Sequence, residues 1–376
     1  MLCTVCQNID FLKYFQSAVD VVTNERFVVG PSEDAIHLGS LRQIYEKETT
    51  CSFCRLITSS IRCKWGNGYS WESPEDNDGS IRRMGVSQAM SSTSPKTHRI
   101  GIGVRRPGQR INPRWDLAGD IQLSSLSATE HGMPSLFHGR LVGSSQLDLS
   151  LVQHWIQTCE SKHGRKCEVP AVDPETAQPD AFPDDLTVVD TRDMCLYHLP
   201  SGGRYIALSY CWPVNTHETF LTTRSLVQEL FQPGSLKKYE AKFPLIIQDA
   251  INFAHELGER FLWIDALCIV QDDDTTKLAQ IRQMDRVYGA ATLTIVCAPP
   301  ETADTTNIGL PGYRPGSRLY QQASEDIQGV NLMTSTLDVD LILLDSRWDQ
   351  RAWTFQEHRL SRRKLYFTGL QLFFQC

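Results

Sequence analysis

Residues 243–273, FPLIIQDAINFAHELGERFLWIDALCIVQDD, set a helix pattern directly against a strand pattern. Pro244 suits a helix start, where its missing N–H costs nothing. Ile247, Ala250, Ile251, Ala254 and Leu257 then fall on one helical face, and Gly258 is placed to close the helix. FLWID, residues 261–265, follows at once as a short apolar run of the kind buried on both faces of a sheet.

The same rhythm extends in both directions. RYIALSY (204–210) is a β-rich apolar run upstream. Downstream, Leu278, Ile281, Met284, Val287 and Tyr288 mark one further helix stopped by Gly289, and ATLTIVCA (291–298) reads as a third strand. Strands alternating with helices of this length imply right-handed βαβ units and a parallel sheet covered on both faces. The region from Pro299 to about Leu344, with two weaker strands, interrupts the alternation and is expected to lie as an insertion over the sheet edge or the site. RKLYFTGLQLFFQC (363–376) reads as two short strands around Gly369. The stop directly after an apolar strand suggests a fragment of something longer. No repeat of solenoid period appears.

The N-terminal half has a different character. It carries CxxC pairs at Cys3/Cys6 and Cys51/Cys54, a Ser-, Gly- and Asp-rich stretch over 66–98 expected to be a long loop or disordered insertion, and strand-like runs such as RIGIGV and DIQLSSL between 99 and 149. Leu151, Val152, Trp155, Ile156 and Cys159 then mark a helix. Four prolines and a cluster of acids over 168–185 cannot form a regular element. The expected organisation is therefore an accessory region of mixed helix and strand over 1–167, a linker over 168–187, and an α/β domain over 188–376.

At 376 residues the chain is long enough for two cores. A net charge of -7 argues against a general nucleic-acid binder, which needs undiluted Lys and Arg; local basic patches such as Arg105–Arg106 and Arg362–Arg363–Lys364 remain as possible contacts. No run of about eighteen apolar residues spans a membrane. MLCTVCQNIDFLKYF lacks the order of a secretory signal, so the 12 cysteines are expected as thiols or metal ligands in a cytoplasmic protein.

Cys3, Cys6, Cys51 and Cys54 have the paired form of a tetrahedral zinc site, which would be structural; unligated thiols in a core are the alternative. Cys159, His163 and Cys167 recur every four residues, but three donors without a fourth favour packing. GxSxG, Walker A and HExxH sequences are absent. Neither Cys268, inside an apolar run, nor Cys211, with only His217 nearby, makes a persuasive nucleophile.

Ligands of open α/β sheets bind beyond the carboxyl ends of the strands. Ser209, Tyr210 and Trp212 follow the first strand, Asp265 closes the second, and the Ala298 loop follows the third. Near the end of the chain, LDSRWDQRAWTFQEHRL (344–360) places Trp353 and Glu357 four residues apart. Such a pair either holds a ligand or is a buried Trp beside a solvated Glu.

These positions also carry a family resemblance. YIALSYCW, FPLIIQDAINFAHELGERFLWIDALCIVQDD, QIRQMDRVYGAATLTIVCA and RWDQRAWTFQEHRLS resemble, in order over about 160 residues, the motifs of the fungal heterokaryon-incompatibility (HET) domain. LVQHWIQTCESKHGRKC and the paired CxxC are similar to the upstream region of such proteins. WP at 212–213 departs from the WG usual in the family. The resemblance implies a role in fungal nonself recognition, an innate-immunity-like process ending in cell death. HET domains in turn resemble the Toll/interleukin-1 receptor (TIR) fold, a flavodoxin-like parallel sheet flanked by helices. ALSY matches its first-strand ISY, WIDALCI its FIDD segment, and WTFQE its WCxxE.

In enzymatic TIR domains the glutamate of that last motif breaks the nicotinamide–ribose bond of NAD; the matching residue is Glu357. What the resemblance implies is NAD as substrate, Glu357 as the catalytic carboxylate, and a pocket lined by Ser209, Tyr210 and Asp265. Trp353 or Trp212 would stack on a ring, and Arg351 or Arg347 would hold the diphosphate. The alternatives are a non-catalytic TIR-like adaptor acting by self-association or by recruiting a nonself-recognition partner, and an N-terminal zinc module that binds a partner.

Overall fold

The computed structural model describes residues 1–16, 27–29, 36–65, 78–86, 97–105, 117–133, 138–142, 146–168, 182–212, 220–301, 308–336, 339–344 and 346–376. These form two units, 1–142 with 320–337 and 143–319 with 338–376.

The first unit contains helices α1 (Phe11–Gln16), α2 (Leu41–Glu46), α3 (Ser52–Trp65) and α4 (Ser125–Glu130) and strands β1 (Phe27–Val29), β2 (Ile36–Ser40), β3 (Asp78–Val86), β4 (Thr97–Arg105) and β5 (Leu117–Leu123). Ser40 starts α2 with a capping box: its Oγ accepts from Gln43 N at 3.3 Å while Gln43 Oε1 accepts from Ser40 N at 3.2 Å. Phe53, Leu56, Ile57 and Ile61 of α3 are buried in one cluster with Ile100, Ile102, Ile121 and Leu123.

Two expectations are corrected here. Within the expected loop over 66–98, residues 78–86 form β3, which pairs with β4 along its whole length and with β1 and β2 on its other side. Neighbouring backbone, rather than an apolar pattern of its own, supplies the reason for this strand. The two weak strands of the 299–344 region, β11 (Ser324–Ile327) and β12 (Val330–Thr334), are not an insertion of the α/β unit: β12 pairs with β5, and both strands belong to the sheet of the first unit.

The second unit begins with α5 (Leu149–Lys162) and α6 (Arg165–Glu168). Val152 and Ile156 of α5 are buried in one cluster with Leu186, Ile206 and Leu208. This helix, assigned from sequence to the accessory region, therefore belongs to the α/β unit, because its apolar stripe is covered there. Residues 169–181 of the expected linker lie outside the described residues.

Strands β6 (Thr187–Asp190), β7 (Cys195–His198), β8 (Ile206–Ser209), β9 (Phe261–Trp263), β10 (Leu293–Cys297), β13 (Lys364–Phe367) and β14 (Leu372–Gln375) form the sheet in the order β14-β13-β10-β8-β9-β6-β7. The helices of this unit are α7 (Val227–Leu230), α8 (Leu245–Leu257), α9 (Asp265–Cys268), α10 (Asp274–Ile281), α11 (Met284–Ala290), α12 (Val339–Leu344) and α13 (Ala352–Leu360).

Pairs β9–β8, β8–β10 and β10–β13 are parallel, so the four parallel strands stand in the order second, first, third, fourth. That order is the one at the centre of flavodoxin-like sheets, whose ligands sit where the winding reverses, between the first and third strands. The sheet is nonetheless mixed: β6–β9, β6–β7 and β13–β14 are antiparallel. The β6–β7 and β13–β14 connections are a few residues long, with positive φ at Met194 and Gly369, and connections that short permit only antiparallel neighbours.

α8 matches its sequence signature closely. Pro244 stands at the N-cap, Gly258 closes the helix at φ 91°, and Ile247, Ala250, Ile251, Ala254 and Leu257 are buried. The single helix expected over 278–288 is instead two, α10 and α11, broken at Arg282–Gln283.

Candidate active site

α13 reverses the usual amphipathic pattern. Its buried residues are Thr354 and Glu357, whereas Trp353 and Phe355 are 52% and 66% exposed. The helix is oriented by polar bonds: Thr354 Oγ1 donates to Arg351 O at 2.6 Å, and Ser361 Oγ, itself 2.7 Å from Thr294 Oγ1 of β10, reaches Glu357 O at 2.6 Å. The Thr354 bond closes the first turn of α13, and the Ser361–Thr294 contact ties its C-terminal end to β10.

The carboxylate that results is 6% exposed and accepts a hydrogen bond at Oε2 from Ser209 Oγ, on the last residue of β8. Ser209 Oγ in turn accepts from Trp348 Nε1 at 2.7 Å. Tyr288 of α11 donates from its hydroxyl to Leu208 O at 3.3 Å and also lies against the Glu357 carboxylate. Burial disfavours charge, so the Glu357 pKa is pushed up to about 7; the Ser209 hydrogen bond opposes that shift and nearby Asp265 adds to it. Ser209 stands in register with Val296 of the adjacent parallel strand β10. The carboxylate is thus held at the carboxyl end of the first strand, beside the reversal point of the winding.

Beside it stands a second acid. Asp265, the first residue of α9 and two beyond the end of β9, is partly exposed; it accepts from Trp212 Nε1 at 2.7 Å and from the Ala266 backbone N at 2.7 Å. Surrounding protein raises its pKa, against the pull of these bonds. The Tyr210 hydroxyl is buried and unbonded among the described residues, and burial together with the charge of Asp265 holds its pKa well above the ordinary phenol value. Arg351 Nη1 donates to Tyr210 O at 2.8 Å.

Of the residues singled out from sequence, Glu357 and Ser209 are hydrogen-bonded to one another. Trp212 is hydrogen-bonded to Asp265, and Arg351 to the Tyr210 backbone, and charge coupling links Asp265 and Arg351 to Glu357. Trp353 stands apart at the surface. Tyr288 and Trp348 are additions. Tyr288 reads in sequence as one more apolar position of a helical stripe, and only the placement of α11 on the sheet aims its hydroxyl at Leu208. Two grooves on this unit, one with Tyr197, Arg204 and Phe261 and one with Arg204, Arg362 and Arg363 among their walls, lie at the amino ends of the parallel strands, opposite Glu357.

In the first unit, Cys3, Cys6, Cys51 and Cys54 bring their sulfur atoms within 4.8 Å of one another. Cys6 Sγ and Cys54 Sγ are 3.9 Å apart, close to the edge of about 3.8 Å expected for a tetrahedron of Zn–S bonds. All four are free thiols, and hydrogen bonds from Cys54 and Cys6 favour a thiolate at Cys51. The donor set fits structural zinc. Among the described residues no helix is long and apolar enough to cross a membrane.

Two comparisons bear on the chain's likeness to known proteins. Residues 205–357 match the family model described as "Heterokaryon incompatibility protein (HET)", a stretch running from β8 to Glu357 itself. The chain is also 24% identical over 210 residues, 47% of its length, to "Heterokaryon incompatibility protein 6, OR allele" of Neurospora crassa, and the match spans 31% of that protein. No solved structure matches. Both likenesses are to proteins described by heterokaryon incompatibility.

Proposed function

Proceeding from that likeness, we propose that the chain is an effector of fungal nonself recognition that drives cell death by hydrolysing NAD. The observation that carries the reading is the inverted helix α13, which buries Glu357 against Ser209 while leaving its aromatic residues in water. A buried carboxylate with a raised pKa is costly to the fold, and such costs concentrate where chemistry is done.

In the reaction, the bond between ribose C1′ and the pyridinium nitrogen breaks with its electron pair going to nicotinamide. A water oxygen then bonds to C1′ and releases a proton, giving ADP-ribose. Positive charge builds on the ribose as the bond breaks, so a fixed carboxylate stabilises the transition state more than the ground state. Glu357 would be that group. Ser209 and Trp348 are positioning residues that hold it through a chain of two hydrogen bonds. Asp265 orients the Trp212 indole for stacking on a flat ring. A TIR-like ancestry is part of this proposal, supported by the 2-1-3-4 order of the parallel strands.

The test is nicotinamide release from NAD by purified protein, in dilute solution and under conditions that promote assembly, with Glu357→Gln alongside. Absence of NAD loss in both states would count against hydrolysis. A second reading has an observation of its own: Trp353 and Phe355, exposed on one helix, suit self-association or a partner protein. An adaptor of that kind would still kill on expression as Glu357→Gln and would fail as Trp353→Glu with Phe355→Glu.

A further inference from the structure

The turn that ends α5 assembles a set of donors that the α/β chemistry does not use. Asp148 caps the helix through Leu151 N at 3.2 Å, and Val152, Ile156 and Cys159 form its buried stripe. His163, one turn beyond Cys159, is the C-cap, and Gly164 at φ 57° breaks the helix. The chain then wraps so that Cys167 N and Glu168 N both donate to Gly164 O, at 3.0 and 3.2 Å. A side chain at 164 would be strained in this left-handed conformation. The wrap returns Cys167 toward Cys159 instead of continuing along the helix axis.

The fourth donor comes from the far end of the chain. β14 packs against α5, with Phe374 stacked on Trp155 at 6.1 Å, and the next residues bring Cys376 to 3.3 Å from His163 Nδ1. Ligand atoms of Cys159, His163, Cys167 and Cys376 all lie within 4.8 Å of one another. Tetrahedral zinc needs edges of about 3.8 Å between sulfurs and about 3.5 Å from sulfur to nitrogen, so closure on an ion takes a shift of about 1 Å.

Charge gives an independent indication. Three thiolates and a neutral imidazole around Zn2+ leave a net charge of about -1. Arg363, only 2% exposed, donates from Nε to Cys159 Sγ at 3.1 Å and from Nη1 to Thr292 O at 3.2 Å. A buried guanidinium bonded to a neutral thiol and a carbonyl is poorly compensated; beside an anionic zinc–thiolate centre it is matched.

We propose that Cys159, His163, Cys167 and Cys376 bind a zinc ion, separate from the N-terminal cysteine cluster, that ties α5 to the β13–β14 hairpin. The hairpin directly follows α13, so the ion secures the strand on which the Glu357 helix is hung.

The full chain, purified in a non-thiol reductant without chelator, would be loaded with zinc and its metal content measured by elemental analysis and native mass spectrometry. His163→Ala and Cys376→Ser should each bind one zinc fewer per chain than the parent protein while circular dichroism stays unchanged. Zinc carried by Cys3, Cys6, Cys51 and Cys54 is untouched by these changes. His163→Cys should retain the ion, and with Co2+ as the probe its visible bands should move from those of a three-sulfur, one-nitrogen site toward those of a four-sulfur site. Zinc content in H163A and C376S equal to the parent would overturn the proposal, as would a disulfide among Cys159, Cys167 and Cys376 in the reduced preparation.

Discussion

Replacing Glu357 by Gln should make the protein more stable at neutral pH. The side chain is 6% exposed, and its pKa is pushed from the ordinary 4.5 up to about 7. A carboxyl whose folded pKa lies above its unfolded value contributes its full share of stability below about pH 4.5. That contribution is lost as pH rises and is gone once pH passes about 7. The shift of about 2.5 units, at about 1.4 kcal/mol per unit, corresponds to about 3 kcal/mol of destabilisation at pH 8 and well under 1 kcal/mol at pH 4.5. Gln keeps the shape and an oxygen to accept from Ser209 Oγ, and it carries no charge to desolvate. Denaturant unfolding of both proteins at the two pH values measures the difference. The variant should gain about 2–3 kcal/mol relative to the parent between pH 4.5 and pH 8, the lower figure allowing for an imperfectly bonded amide N–H2. A variant less stable than the parent at pH 8 would refute the reasoning, because it would mean the carboxylate is there to hold the fold together.

Ser209→Ala removes the donor to Glu357 and strands the buried Trp348 N–H; unfolding should show a loss of about 1–3 kcal/mol, and the acid limb of any NAD turnover should move to higher pH as Glu357 loses the bond that opposes its raised pKa. Gly258→Ala forces a Cβ into a backbone at φ 91° and should cost about 1 kcal/mol or more in thermal or denaturant unfolding without affecting the Glu357 site. The N-terminal cysteine cluster is expected to take up zinc: Cys51→Ser or Cys54→Ser should lower the zinc bound per chain and the melting temperature of the first unit while leaving circular dichroism of the α/β unit in place.

Elements held by local signals were legible from the residues alone. Helix α8 carries its own punctuation in Pro244 and Gly258, and β9 and β10 are continuous apolar runs because both their faces are covered. Elements specified by distant partners were not. β3 has little apolar pattern and exists because β4 bonds to it along nine residues. β12 leaves the region that the α/β rhythm surrounds and pairs with β5, some two hundred residues earlier in the chain. The site divides in the same way. Ser209 and Asp265 stand out by position at strand ends and Glu357 by its spacing from Trp353, whereas Tyr288, Trp348 and Cys376 acquire their roles through contacts that span 80, 139 and 213 residues. Periodicity within one element carries no trace of such contacts.

One measurement bears most directly on the claim that the inward carboxylate of α13 does chemistry: nicotinamide formed from NAD by the assembled parent protein and by Glu357→Gln, with both shown to be folded. Turnover by the parent that rises through about pH 7 and vanishes in the variant is the expected result. Equal nicotinamide from the two proteins, or none from the assembled parent, would contradict it.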